Sequence, residues 1–253
     1  MKISIITVTY NAEATIGRTM ESVAQQTHPD VEHLIIDGAS TDRTLDIARR
    51  YPHAIISSEP DKGLYDAMNK GLKKATGDYL CFLNAGDKLH SKETLAHIAA
   101  SIPSPQHGNG VAILYGDTHI VDDEGNFLRN RRLTPPEHLT WRSFRQGMLV
   151  CHQAFYARTD IAKEMPYDTS YRFSADVDWC IRVMKRAQEL HAPLCNADKV
   201  LALYLKEGQT TRNHRASLRE RFQVMQHHYG LVVTVAMHLW FGIRALGKTR
   251  FFR

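Results

Sequence analysis

The chain has 253 residues, 43% hydrophobic and 23% charged, the proportions of an ordinary soluble globular protein with room for one large domain or two small ones. Four cysteines, Cys81, Cys151, Cys180 and Cys195, form no CxxC pair and no regular spacing, which argues against a zinc site or a disulfide framework and fits a reducing cytosol. Charge is uneven: residues 206–253 carry nine Lys and Arg against two acids, a net of +7 in a chain of +5, so the tail predicts an anionic surface as partner.

MKISIITVTYN opens with an apolar run too short for a signal peptide, and reads as a buried strand over 3–8. A helix is predicted over 14–26, a strand over 33–37, and a helix over 42–50 behind a Ser/Thr cap. A strand over 54–57, a helix over 64–75 and a strand over 79–83 follow. Near-continuous apolar strands separated by helices predict a parallel sheet covered on both faces. SIPSPQHGNG, about 101–110, reads as a loop at a half-boundary, and ILYGDTHIVDDEGNFLRN as a hairpin turning at Asp123–Asn126. Then come a helix from Asp176 to Leu190, a strand at 199–205, the polar loop KEGQTTRNH and two helical stretches. No repeat is visible, and no segment reaches the ~20 apolar residues of a membrane span.

Ligands of such sheets sit beyond the carboxyl ends of the strands. Polar clusters follow all four early strands there: TYNAE, DGAST, SEPDKG and NAGD. In order and spacing, SIITVTYNAE, DGASTDRT, SEPDKGLYDAMNKGLKKATGDYL and FLNAGD resemble consecutive blocks of the family 2 glycosyltransferases, and the NAGD variant is close to colanic-acid-type polysaccharide-assembly members. The resemblance spans most of 1–215. It implies an α/β GT-A fold: a Rossmann-like, mostly parallel sheet flanked by helices, with a helical C-terminal tail. The expected division is a catalytic domain over 1–215, with a nucleotide half over 1–100 and an acceptor half over 111–215, followed by a basic, apolar segment over 216–253.

The resemblance also implies a pocket for a UDP- or GDP-sugar. Thr9, Tyr10 and Asn11 form the turn after the first strand, which can present backbone donors, and Glu13 adds a carboxylate. Asp37 ends the second strand, where it can accept the ring N–H of uracil or guanine; its plainer reading is a cap for the GAST turn. SEPDKG supplies Asp61 and Lys62 ahead of a permissive glycine, with an ordinary proline-led turn as the competing reading. Asn69 joins the nucleotide set from the next helix, whereas Tyr65 and Met68 read as packing.

In FLNAGD the family's DxD acids, which bind ribose and a cation bridging two phosphates, are replaced by Asn84 and Gly86, and Asp87 remains. The resemblance implies Mn²⁺ or Mg²⁺ on Asp87, since a hard cation takes oxygen ligands and needs one or two carboxylates besides phosphate. Asn84 would then meet a ribose hydroxyl, with Ala85 beside it. FSADVDWCIRV matches the family's late block (E/D)-D-x-D-L-x-x-R with Ala175 for the first acid, which makes Asp176 the general base of an inverting transfer. Two acids opening a helix are also ordinary dipole caps, a reading that suits Asp178 better than Asp176. His152 and Gln153 of CHQAFY stand near the acceptor or diphosphate, against the reading of a packed histidine. GQTTRNH reads as a lid bringing Arg212 or His214 to the phosphates, or as plain loop.

The tail LVVTVAMHLWFGIRALGKTRFFR is apolar around most of a helix of about 16 residues, too short to span, with basic aromatic flanks that favour a membrane surface over nucleic acid. Burial against the catalytic domain or a homodimer partner is the competing reading. The expected acceptor is a glycan or polyprenyl-linked molecule, and the expected location is cytoplasmic, peripheral on the inner face of the plasma membrane. Two other classes remain in view. A sugar-phosphate nucleotidyltransferase would need a glycine- and arginine-rich loop where TYNAE stands; a non-catalytic nucleotide-sugar-binding or assembly module is opposed by the retained Asp87 and Asp176.

Overall fold

The computed structural model describes residues 1–102, 110–206 and 214–249, and in the last segment the side chains of 215–244. The loop expected at 101–110 therefore falls mostly outside the described residues, as does Arg212, together with the side chain of His214.

The apolar runs become strands where expected. β1 (Ile3–Thr9), β2 (Val31–Asp37), β3 (Ala54–Ser58) and β4 (Tyr79–Phe82) are parallel, in the order β3-β2-β1-β4. They are linked by α1 (Ile16–Ala24), α2 (Thr44–Ala48) and α3 (Leu64–Lys74). Alternate residues feed two cores. Ile6, Leu34 and Phe82 meet Met68 and Leu72 of α3 on one face, while Ile3, Ile5 and Cys81 meet Leu95 and Ile98 of α4 (Thr94–Ala100) on the other. Helix α3 lies so close to the sheet that a Cβ on Gly71 would stand 2.4 Å from Ile6 Cγ2.

The second half continues the same sheet but makes it mixed. β8 (Phe155–Arg158) joins antiparallel between β4 and β6 (Ile113–Val121), and β9 (Leu194–Leu205) runs parallel to β6. The two-residue β5 (Lys88–Leu89), which follows the NAGD turn, pairs antiparallel with the end of β9 at the sheet edge. β7 (Phe127–Asn130) closes the expected hairpin on β6. After α5 (Thr159–Lys163), α6 (Ala175–Glu189) covers the α3 side of the sheet, and α7 (His214–Tyr229) and α8 (Leu231–Thr249) end the described chain.

An aromatic stack joins the two halves. Tyr65 stacks on Tyr167, and Tyr167 on Trp179, at centroid distances of 5.6 and 5.0 Å, with Phe82 edge-on to both Tyr167 and Trp179. This stack sets the N-terminus of α6 over the ends of β1 and β4.

Candidate active site

The carboxyl ends of β1 and β4, the start of β8, the N-terminus of α6 and the end of β9 enclose a cleft of about 710 Å³. Thr9, Tyr10, Asp61, Asn84 and Ala85 line it, as do Asp87, His152, Gln153 and Asp176, so one cavity gathers most of the residues singled out in the sequence.

Five others are engaged elsewhere. Asn11 takes a left-handed φ of 46°, receives Thr41 N on Oδ1 at 2.9 Å and donates its own N–H to Ser40 Oγ at 2.8 Å. Glu13 accepts from the Arg43 backbone N–H and side chain. These two residues clamp the first loop to the second rather than lining the cleft. Asp37 is 1% exposed and accepts from Ser40 N–H, Ser40 Oγ and Ser58 Oγ, so its carboxylate holds the turn. Lys62 is exposed beyond the cleft lining. Asn69 spends both ends of its amide on the backbone of Tyr167, at 2.9 and 2.7 Å, and so fixes the aromatic stack rather than a nucleotide.

What the clamp achieves is a lip. Gly38 has no room for a Cβ, which would lie 2.4 Å from Asp61 Oδ2 and 3.4 Å from the Tyr10 ring. Asp61 therefore lies over Gly38 with Oδ1 on the Gly63 N–H, beside a Tyr10 that is 65% exposed. An exposed ring next to a carboxylate at the mouth of a cleft suits a base and its hydroxyl- or amide-bearing neighbours.

The NAGD turn explains its own departure from the acidic pattern. Gly86 has φ +105°, a left-handed conformation that an aspartate would adopt only under strain, and a Cβ there would meet Leu205 Cδ2 at 3.2 Å. Thr19 of α1 braces the turn, accepting from Gly86 N–H and donating to the Asp87 carbonyl. Asp87 is 5% exposed; Gln153 Nε2 donates to Oδ2 at 2.7 Å and Leu205 N–H to Oδ1 at 3.1 Å. Burial pushes its pKa up to about 6 against the opposing pull of these donors.

Beside it lies a second carboxylate with a different setting. Asp176, in the first turn of α6, receives Tyr65 Oη–H on Oδ1 at 3.2 Å and His152 Nδ1 on Oδ2 at 3.3 Å. The His152 Nε2 faces Asn84 Nδ2 at 3.2 Å, so the ring lies between the Asn84 amide and the Asp176 carboxylate. Burial opposes ionisation of Asp176, but the His152 contact and the Arg221 charge outweigh it and hold the carboxyl below its usual range. His152 and Gln153 are thus the bridge between the two acids, one touching Asp176 and the other Asp87. Asp178 faces away, ion-paired to Arg182 at 2.6 Å and hydrogen-bonded to His228 at 2.8 Å.

The donors fit a hard cation. Asn84 Oδ1 and Gln153 Oε1 are buried with no hydrogen-bond partner, next to the Asp87 carboxylate in the same turn or hydrogen-bonded to it. One carboxylate and two amide oxygens form an all-oxygen set of the kind Mg²⁺ or Mn²⁺ accepts. Among the described residues no three of His, Cys, Asp and Glu converge to hold an ion outright, so a cation here would need further oxygens from a bound ligand.

Sequence reading missed Tyr65, which it assigned to packing, and three arginines that line the cleft: Arg131, Arg132 and Arg221. The Arg131–Arg132 pair after the hairpin was a visible signal. For Arg221 there was none, since it lies on α7, in the segment read as a separate tail.

A mixed sheet flanked by helices, with its cleft at the carboxyl ends of the parallel strands, is the GT-A architecture, and comparison with known proteins agrees. Residues 4–165 match the profile of glycosyl transferase family 2. A PGL/p-HBAD biosynthesis glycosyltransferase of Mycobacterium bovis is 38% identical over 185 residues, 71% of this chain and 68% of that protein. The amylovoran biosynthesis glycosyltransferase AmsB of Erwinia amylovora is 28% identical over 195 residues, 72% of this chain and 64% of its own length. Among solved structures, residues 1–349 of S. aureus TarS in complex with UDP-GlcNAc superpose with a TM-score of 0.67 at 22% identity, over 89% of this chain. The chain spans 65% of that structure's length. The chain belongs to glycosyl transferase family 2.

Proposed function

We propose that the chain transfers a sugar from a UDP- or GDP-sugar, with inversion, to a glycan or polyprenyl-linked acceptor in cell-surface polysaccharide synthesis. The observation that carries this reading is the pair of unlike carboxylates, Asp87 and Asp176, in one cleft and bridged by Gln153 and His152. Asp61 and the Tyr10 ring hold the nucleoside at the lip. Asp87, with Asn84 and Gln153, would hold Mn²⁺ or Mg²⁺, which supplies charge neutralisation of the departing diphosphate. Asp176 takes the proton of the acceptor hydroxyl as that oxygen attacks the anomeric carbon. Both its oxygens are aimed by Tyr65 and His152, which keeps the base oriented without filling the cleft.

The apolar face of α8 supports a resting place on the inner surface of the plasma membrane. No helix among the described residues is long and apolar enough to cross a membrane, which leaves the interfacial position as the membrane reading of this segment.

The test separates binding from turnover. A panel of nucleotide sugars screened by thermal shift, with and without Mn²⁺, identifies the donor. Asp87→Asn then weakens metal-dependent binding of that donor. Asp176→Asn binds it normally but turns over roughly 10²–10⁴-fold more slowly. Normal turnover by Asp176→Asn, or equal loss of donor binding in both variants, would sink the assignment.

A further inference from the structure

Among the described residues Arg221 is the one cleft residue carried by α7, and its placement is built rather than incidental. Glu220 beside it accepts the backbone N–H groups of Arg172 and Phe173, at 2.9 and 2.6 Å, just before Asp176. Ser174 Oγ reaches the Ser217 carbonyl, and His228 pairs with Asp178. Tyr229 Oη donates to the Trp141 carbonyl, and its ring stacks on Trp141 at 5.6 Å. Contacts along the whole helix therefore deliver Arg221 to the base side of the cleft.

Once there, the inner nitrogen of its guanidinium is left unpaired. Its Nε is buried with no hydrogen-bond partner, and Arg221 makes no ion pair among the described residues. A buried cationic donor left without a partner is costly, and the usual complement of a guanidinium fork is a carboxylate or phosphate. Arg221 and Asp176 line the same cleft without a hydrogen bond between them, and α7 is tied to residues 172–174, immediately before Asp176. The anchoring of α7 thus puts Arg221 on the side of the cleft from which Asp176 enters, where the acceptor must approach.

We propose that Arg221 is a phosphate-recognition residue on the acceptor side of the cleft, so that the acceptor brings a phosphate or diphosphate group into the site. This rests on the reading of Asp176 as base. It makes α7 part of the active site rather than an appendage, and it selects phosphorylated acceptors over neutral glycans of similar size.

The experiment uses the full chain, with UDP (or GDP, should the chain prefer it) and Mn²⁺ as donor-site probe, and farnesyl diphosphate, farnesyl phosphate and farnesol as acceptor-side probes added at saturating nucleotide. By calorimetry the unmodified chain binds both phosphorylated probes and discriminates against farnesol. Arg221→Gln weakens the phosphorylated probes roughly 10–100-fold and abolishes the discrimination, while nucleotide affinity and melting temperature stay unchanged. Arg221→Lys, which keeps the charge but not the fork, falls between. Equal weakening of the nucleotide would assign Arg221 to the donor's diphosphate and overturn the proposal. So would farnesol binding the unmodified chain as well as its phosphates do. Should neither UDP nor GDP bind the unmodified chain, the proposed function itself falls, and this inference with it.

Discussion

Tyr65 shows how one side chain serves packing and chemistry together. Its ring stacks on Tyr167, and its hydroxyl donates to Asp176. Tyr65→Phe keeps the stack and removes the donor, so turnover should fall roughly 3–10-fold with donor affinity unchanged; turnover equal to the parent would return Tyr65 to packing alone. Asn69 is the opposite case. Its amide holds the Tyr167 backbone, so Asn69→Ala should cost about 1–3 kcal/mol in urea unfolding and leave nucleotide binding intact in calorimetry. Gly86 permits a third check. Restoring the family acid with Gly86→Asp should not strengthen metal binding, because φ +105° strains the new residue by about 1–3 kcal/mol. A stable Gly86→Asp variant with tighter Mn²⁺ binding would contradict this account of the turn.

Between elements, the bottom of the sheet is tied by Glu32 at the start of β2. It is 6% exposed and accepts from Ser4 Oγ on β1, from Thr76 in the loop after α3, and from Lys2 Nζ at 2.9 Å. Burial opposes its ionisation, but the Ser4, Thr76 and Lys2 contacts outweigh it and lower the pKa from 4.5 to about 2. A depressed folded-state pKa means this stabilisation is complete above the unfolded value and disappears as pH falls through the folded one. The urea midpoint of the parent should exceed that of Glu32→Gln by a constant margin at neutral pH, and the margin should shrink between pH 4.5 and 2. A margin that persists below this window would mean the charge contributes nothing. Element boundaries were legible to the extent that apolar runs mark them. β9 begins at Leu194 rather than at the predicted 199, because Leu194, Cys195 and Asn196 already pair with β6 ahead of a register shift, where residues 197–199 bulge and Asp198 turns left-handed at φ 50°, an irregularity no apolar run marks.

At the scale of the molecule, α8 divides into two faces. Thr234, His238 and Phe241 turn inward, with His238 against Phe222 of α7 at 4.9 Å. Val232, Leu239 and Ile243 turn outward, 83, 65 and 62% exposed, with Leu231, Val235 and Trp240 around them. A contiguous apolar face beside basic residues suits an interface helix. Deleting residues from 231 onward should release the protein from phosphatidylglycerol-containing vesicles in a flotation assay while UDP binding survives. The point variant Leu239→Asp/Ile243→Asp should do the same without touching the inward face. If the truncated chain instead becomes insoluble, or a dimer in light scattering becomes a monomer, the face covers protein and not lipid.

The parallel half of the sheet, its covering helices and the polar clusters at the strand ends were all written in local pattern, since strand burial and helix periodicity are properties of neighbouring residues. So was the family, because its blocks are contiguous. The division of labour inside those blocks was not. Asp37 and Asn69 read as ligands until the fold showed Ser58 and Tyr167 already holding them. His152, weighed as a packed ring, became the link between Asn84 and Asp176 when a strand order no local pattern reveals brought β8 beside β4. Arg221 is the clearest instance, 45 residues from Asp176 in the chain and beside it in space. Hydrogen-bonding capacity is a property of a residue type, but whether that capacity is spent on the protein or left facing a cleft depends on which distant segments pack against it.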